Sequence, residues 1–314
     1  MTGADGFVGA WLVRRLRRDG HEVIAAVHPD RPLMAAGAPA PWGSGVHTAP
    51  FDLLDGPTVR GVVSIGFDAV LHLAAVASGG DARRDPADAW QINAVGTARL
   101  AEELGRLRDA GGADPVLVIA STGEVYGAGD GEHVRTEADA TAPCSAYAAS
   151  KLAAEDAALE VHRRAGLRVV VARAFPHTGK GQDTRFVVPA FARRLVEAKR
   201  AGRTKIPVGN LDPVREFLHV SDVVEAYVDL LGFGAPGEVY NVAGGEVVSL
   251  GELFARLAAI VGHEAEPVSD PELLRPAEIP HLVGDGSKLR ALSEWRPKVS
   301  LHDTLVEVVD AQAH

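Results

Sequence analysis

A single cysteine, Cys144, is all the thiol this 314-residue chain has. No internal disulfide can close, and no cysteine-based metal site can form. Close before Tyr147 in sequence, it reads as a small packing residue rather than a nucleophile, and no metal centre is expected. Nor does any apolar run reach the roughly 18 residues that cross a bilayer, and no basic-then-apolar leader opens the sequence. A cytoplasmic protein is expected on these grounds. Positive charge is also short: 32 Lys and Arg against 42 Asp and Glu give a net charge of −10. General nucleic-acid affinity needs clustered basic charge, so a nucleic-acid partner is not expected. A local basic pocket for a phosphorylated small molecule remains open. There is no internal repeat and no low-complexity tail. What is present, 46% hydrophobic and 24% charged residues, suits one large domain or two unequal ones with a sizeable core.

The stretch around which the chain organises is Ser145-Ala146-Tyr147-Ala148-Ala149-Ser150-Lys151-Leu152-Ala153-Ala154-Glu155. It reads as the start of a long helix with Ser145 as N-cap. Tyr147 and Lys151, four residues apart, then share one helical face. A phenol titrates near ~10 and is a poor acid or base at neutral pH. The ammonium one turn away is expected to favour the phenolate and bring that value down toward the working range. A surface Tyr and a solvated Lys is the bland alternative.

Gly3, Gly6 and Gly9, with Phe7 and Val8 between them, precede an amphipathic run ending at Asp19-Gly20. Such a turn can approach a pyrophosphate closely and offer it the following helix's N-terminal amides. Only Met1 and Thr2 precede it, where a dinucleotide fold needs an apolar strand. The first strand therefore reads as truncated, with a start codon called late and a short strand upstream. His21–His28 forms the next strand and ends at His28, where NAD sites often carry an acid. Arg31 just beyond is placed to pair with a 2′-phosphate, which favours NADP(H) over NAD(H). After a short strand at Val46–Pro50, Asp52 and Leu53 lie where the adenine is held. Asp68–Ala75 is a buried strand whose small end, Leu73-Ala74-Ala75, lets a loop lie against a dinucleotide; His72 reads as a satisfied core histidine. A helix over Ala89–Asp109 carries Asn93, placed to brace the sheet end. Strand Pro115–Ala120 delivers Ser121-Thr122-Gly123-Glu124-Val125-Tyr126-Gly127 to the carboxyl edge, and Leu167–Ala172 is the sixth strand.

Strands and helices alternate up to this point, which argues for one parallel sheet. The expected fold is α/β: a Rossmann-type, doubly wound parallel sheet over residues 1–172. Residues 173–314 are mainly a smaller C-terminal substrate-binding lobe, with some segments returning to the sheet. Helices are expected at Phe186–Arg200, Val220–Leu231, Ser249–Gly262 and Leu301–Ala313, with a short strand at Glu238–Val242.

The Gly3/Gly6/Gly9 loop, Leu73-Ala74-Ala75, Thr122-Gly123-Glu124-Val125-Tyr126-Gly127 and Tyr147…Lys151, in this order, resemble the extended short-chain dehydrogenase/reductases, the NAD-dependent epimerase/dehydratase family. The second half is similar to GDP-4-keto-6-deoxy-mannose reductases and the related GDP-mannose 4,6-dehydratases. The stretches that carry this are Phe175-Pro176-His177-Thr178-Gly179-Lys180-Gly181-Gln182, Phe186-Val187-Val188-Pro189, Val208–Phe217, Leu274–Pro280 and Leu282–Leu289. Phe186-Val187-Val188-Pro189 and Val283-Gly284-Asp285-Gly286-Ser287-Lys288-Leu289 lean toward the reductases. Where the family has Arg-Pro-Phe-Asn-His, this chain reads Arg173-Ala174-Phe175-Pro176-His177.

The resemblance implies NAD(P)H-dependent reduction of the C4 ketone of a nucleotide-diphosphate 4-keto-6-deoxy sugar. Tyr147 would donate the proton, Thr122 would hydrogen-bond the same oxygen, and Lys151 would hold the nicotinamide ribose and lower the Tyr147 pKa. Glu124 would assist in dehydratases and reads equally as a polar rim residue. His177, Val188, Arg215 and Arg275 fall in substrate stretches, the two arginines as diphosphate clamps; Glu216 stands where the family often has Asp. The alternatives are a nucleotide-sugar 4,6-dehydratase or 4-epimerase with tightly bound NAD(P), and a non-catalytic dinucleotide-binding protein. A homodimer through a four-helix bundle of Ala89–Asp109 and Ser145–Ala165 is also expected.

Overall fold

A computed structural model describes residues 1–31, 40–129, 131–274 and 279–313. In the first half, strands β1 (Ile24–Val27), β2 (His47–Pro50), β3 (Ala69–His72), β4 (Val116–Thr122) and β5 (Arg168–Ala174) alternate with the longer helices α1 (Phe7–Arg18), α2 (Gly56–Val63), α3 (Thr97–Asp109) and α4 (Ala146–Ala165). The second half contributes β6 (His177–Thr178), α5 (Val187–Arg200), β7 (Lys205–Val208), β8 (Val214–His219), α6 (Val220–Phe233), β9 (Val239–Val242), β10 (Glu246–Ser249), α7 (Leu250–Val261), β11 (Glu266–Ser269), β12 (His281–Leu282), α8 (Ser287–Ser293) and α9 (Leu301–Ala313).

β4 and β5 are nearly continuous apolar runs, the pattern of strands covered on both faces. Leu117, Val118, Ile119, Val169, Val170 and Val171 are at most 1% exposed. The large sheet is parallel throughout: β1 pairs with β2, and β3, β4, β5 and β9 follow side by side. Between β1 and β3, Thr2 forms single bridges parallel to both Ala26 and His72. Thr2 N donates to Leu71 O at 3.0 Å, and Ala26 N donates to Met1 O at 2.8 Å. The Met1 ammonium donates to Ile24 O at 2.9 Å, and burial pulls its pKa down to about 5. Two residues thus stitch the sheet at its carboxyl edge, where ligands bind in doubly wound folds.

The helix expected over Ala89–Asp109 changes character midway. Residues Trp90–Gly96 are π-helical, and α3 continues from Thr97. A π-stretch widens the helix by one residue per turn and often marks functional positions. Gly96 is needed there, since a Cβ would meet the Leu53 side chain at 2.8 Å.

α4 is fixed to β5 by a buried ion pair. Arg173 Nη2 lies 2.7 Å from Glu155 Oε2, with side chains 7% and 1% exposed. The Ser121 hydroxyl donates to the same carboxylate, and the guanidinium sits 4.9 Å from the Tyr126 ring centroid. Removing one partner of such a pair costs about 3–5 kcal/mol, because the other charge stays buried. The helix carrying Tyr147 and Lys151 is therefore held against rotation.

In the second half, β8 is flanked by antiparallel β10 and parallel β12, and β6 also pairs with it. β7 and β11 form a separate parallel pair. Helices α5, α7 and α9 close on a second core containing Phe191, Leu195, Phe254, Leu257 and Leu305. β9 leaves this neighbourhood and joins the large sheet beside β5.

Glu216 on β8 is 1% exposed, and its Oε2 accepts from Gly244 N at 3.0 Å. Burial pushes the carboxyl up to about 8, well above the unfolded value of about 4.3. Its favourable contribution is complete below the unfolded value and is lost as pH rises through 8. Glu216→Gln should therefore gain stability relative to the native chain between pH 5 and pH 9, read from urea midpoints. A difference that stays constant over that range would contradict the assignment.

Candidate active site

The site grows from the ends of β4 and α4. Ser145 caps α4, its hydroxyl accepting from Ala148 N at 3.1 Å, and so fixes where the first turn begins. Tyr147 follows in that turn and Lys151 one turn later, on the same face. Thr122, the last residue of β4, hydrogen-bonds the Tyr147 phenol, and its oxygen also accepts from Glu124 N at 3.2 Å. The phenol, the Thr122 hydroxyl and the Glu124 carboxylate are thus neighbours at the sheet's carboxyl edge. Gly123 lies on the Phe175 ring, where a Cβ would come within 2.9 Å. That close contact sets the height of the loop carrying Glu124.

The electrostatics differ from the expectation that Lys151 brings the phenol down. Burial raises the Tyr147 pKa above its ordinary value, and the Glu124 charge adds to this, while the Thr122 hydrogen bond opposes it. Lys151 is 6% exposed; burial lowers it to about 8 against the opposing pull of Glu155. Its charge also acts on His72. Desolvation is the largest influence on the phenol, and Tyr147 is protonated at neutral pH.

The glycine turn fits a dinucleotide diphosphate. Gly3 has φ 62°, and a Cβ there would meet Ala74 N at 2.7 Å. A Cβ on Gly9 would reach Gly3 O at 2.2 Å, so α1 packs on the turn only through glycine. Gly6 is the N-cap of α1, without a side-chain cap and without an acid in the first turn. The amides around Phe7 and Val8 are therefore left for an anion. Leu73, Ala74 and Ala75 are partly buried beside this turn.

Arg31 Nε donates to Asp5 Oδ2 at 2.8 Å, which brings it to the rim of the glycine turn. His28 Nε2 lies 3.8 Å from Asp52 Oδ2, so the ends of the first two strands meet there. The Leu53 side chain is 5% exposed and belongs to the core. What Leu53 can present to a ligand is backbone, although its carbonyl accepts from Arg99. Val188 behaves alike: its side chain is 1% exposed within the second core, which leaves its backbone at the start of α5.

His177 joins the two halves. Its ring stacks on Phe7 with centroids 6.3 Å apart, and Nδ1 pairs with Phe175 O at 2.9 Å. Burial lowers its pKa; the neutral ring donates through Nδ1 and keeps Nε2 as an acceptor. Arg215 is half-buried, with Nη1 donating to Val214 O at 2.7 Å. Arg275 lies outside the described residues. Cys144 is exposed, so it does not pack as expected.

Sequence reasoning gave Asn93 only a bracing role. Its Oδ1 accepts from Val76 N at 2.8 Å, and its Nδ2 donates to Val76 O at 3.1 Å and to Ser150 Oγ at 3.0 Å. It thereby ties the loop after β3 to α4. Ser150 was passed over, although its place between Tyr147 and Lys151 was a signal. Among the described residues, no helix is long and apolar enough to cross a membrane, and no three His, Cys, Asp or Glu side chains are grouped to hold a metal.

Comparison with known proteins agrees with this geometry. The NAD dependent epimerase/dehydratase family matches residues 1–243. A GDP-6-deoxy-D-mannose reductase of Pseudomonas aeruginosa is 34% identical over 97% of this chain and 93% of its own length. The structure of RMD from Pseudomonas aeruginosa complexed with NADPH superposes with a TM-score of 0.82 at 32% identity, covering 99% of this chain and 97% of that one. The Thermus thermophilus UDP-glucose 4-epimerase complex with NAD gives 0.84 at 29% identity, covering 99% and 97%. These are Rossmann-type nucleotide-sugar enzymes that work with a nicotinamide cofactor. With its glycine turn, Thr122, Tyr147 and Lys151 in the places described, the chain belongs to the NAD dependent epimerase/dehydratase family.

Proposed function

We propose that the protein reduces the C4 ketone of a GDP-linked 4-keto-6-deoxy hexose with NADPH. The observation that carries this reading is the half-buried Tyr147 phenol hydrogen-bonded to Thr122 at the sheet's carboxyl edge. Reduction of a ketone leaves an alkoxide that needs a proton, and a phenol with a raised pKa holds that proton at neutral pH. An enzyme that starts by oxidising a sugar hydroxyl needs the opposite, a phenolate ready to accept. The 34% identical GDP-6-deoxy-D-mannose reductase supports the substrate class.

When bound, the reduced nicotinamide supplies hydride. The chain's own residues do the rest. Thr122 fixes the ketone oxygen and Tyr147 gives it a proton. Lys151 holds the nicotinamide ribose from the same helical face, and the amides after Gly6 take the diphosphate. His177 Nε2 accepts from a sugar hydroxyl, and Arg215 clamps the substrate diphosphate, with Arg275, outside the described residues, as the second cation that the family resemblance implies. Glu124 keeps Tyr147 protonated by raising its pKa, a role distinct from dehydration. Tyr147→Phe should lower turnover about 100- to 10,000-fold while leaving the NADPH dissociation constant unchanged. NADPH oxidation with the keto sugar measures this. Undiminished turnover would remove Tyr147 as proton donor, and a 4-keto product from GDP-mannose without added reductant would favour a dehydratase.

The preference for NADPH rests on Arg31, held at the turn by Asp5, and on His28 standing where an acid would repel a 2′-phosphate. Charge-assisted contacts of this kind contribute about 1.5–3 kcal/mol. Arg31→Ala should therefore weaken NADPH at least tenfold and leave NADH binding nearly unchanged. Equal losses for both coenzymes would assign Arg31 a structural role.

The protein forms a homodimer through α3, its π-helical lead-in and α4. Support comes from Trp90 and Val95 on this run, each 43% exposed, which a second copy would cover. Sedimentation at micromolar concentration should give twice the 32.9 kDa chain mass; a monomer would remove the interface.

A further inference from the structure

Five buried side chains form a continuous hydrogen-bonded string beneath the site. Thr2 Oγ1 and His72 Nδ1 are 2.7 Å apart, and His72 Nε2 lies 2.9 Å from Thr97 Oγ1. Thr97 Oγ1 donates to Asn93 O at 2.6 Å, Asn93 Nδ2 to Ser150 Oγ at 3.0 Å, and Ser150 Oγ to Tyr147 O at 2.8 Å. None of the five residues is more than 3% exposed. The string runs from the start of the glycine turn to the backbone of the proton donor.

The direction of every proton in it is determined. A carbonyl only accepts, so Thr97 spends its one proton on Asn93 O. Its oxygen must then accept from His72 Nε2–H. A neutral imidazole has a single N–H, so Nδ1 is a lone pair and the Thr2 hydroxyl donates to it. The Thr2 oxygen in turn accepts the amides of Leu73 and Ala74, each at 3.2 Å. At the other end Ser150 donates to Tyr147 O and accepts from Asn93, which aims the Asn93 Oδ1 at Val76 N, 2.8 Å away. Burial keeps the His72 ring neutral, and of its two neutral tautomers only Nε2–H satisfies all of these contacts.

Leu73, Ala74 and Val76 belong to the loop that Gly3 touches, where a Cβ on the glycine would meet Ala74 N at 2.7 Å. The string therefore sets the distance from that loop to the glycine turn on one side and to α4 on the other. We propose that His72, as its neutral Nε2–H tautomer, is a positioning residue that holds the 73–76 wall of the dinucleotide cleft in register with Tyr147. The positioning claim rests on the dinucleotide reading above; the tautomer does not.

Two measurements test it. In protein labelled with ¹⁵N at histidine, the ring that disappears in His72→Gln should be neutral and protonated at Nε2 at pH 7. An Nδ1–H form or an imidazolium overturns the proton order. NADPH binding, followed by protein fluorescence, should weaken at least tenfold in His72→Leu and in Thr2→Val. It should recover to within threefold of the native value in His72→Gln, whose carboxamide can accept from Thr2 and donate to Thr97. Native binding in the Leu variant, or a Gln variant no better than Leu, overturns the positioning role. If His72→Leu does not fold, Thr2→Val against His72→Gln decides. A native protein that binds neither NADPH nor NADH overturns the dinucleotide reading and this role with it. Native binding with indifferent variants overturns this role alone.

Discussion

The backbone contact between Gly3 and Ala74 is the constraint on which the rest depends. No side chain fits between the two loops, and Thr2 and Gly9 beside them are fixed by the same crowding. That approach lets a two-residue segment stand in for a strand and close the sheet at its working edge. It also puts the uncapped start of α1 next to the loop after β3, so the dinucleotide proposed to bind there would meet two walls at once. Polar burial follows from this geometry. Thr2, His72, Thr97, Asn93 and Ser150 are inside because the loops are, and each has a partner because an unpaired buried polar group is costly.

A second constraint acts further along α4. Glu155 and Arg173 hold α4 against β5, and the cost of leaving either charge alone makes the helix position stiff. Lys151 lies about one turn and Tyr147 just over two turns before Glu155 on the same helix, so they share this stiffness. The phenol is then desolvated without having moved, and its proton is held by burial rather than by a nearby base.

The motifs that could be read in the chain are those whose partners are local. Tyr147 and Lys151 share a face because of helical pitch alone, and Gly3, Gly6 and Gly9 predict a turn because of sterics alone. The alternating strands and helices of the first half were equally readable, and so was the satisfied state of His72. What could not be read depends on distant neighbours. The direction of the Tyr147 shift needs the burial supplied by other elements. Leu53 and Val188 lie in matching stretches, but packing turns their side chains into cores. Asn93 and Ser150 meet across 57 positions, and the π-helical turn that presents Asn93 has no signature of composition. The exposure of Cys144 likewise follows from the loop entering α4, not from its small size.

That exposed thiol has a practical consequence. Cys144 is the only sulfhydryl in the molecule, and it stands three residues ahead of Tyr147, on the approach to α4. A maleimide dye would attach at one defined point without engineered cysteines or protection of others. Its emission would report directly on the surroundings of the segment that enters α4.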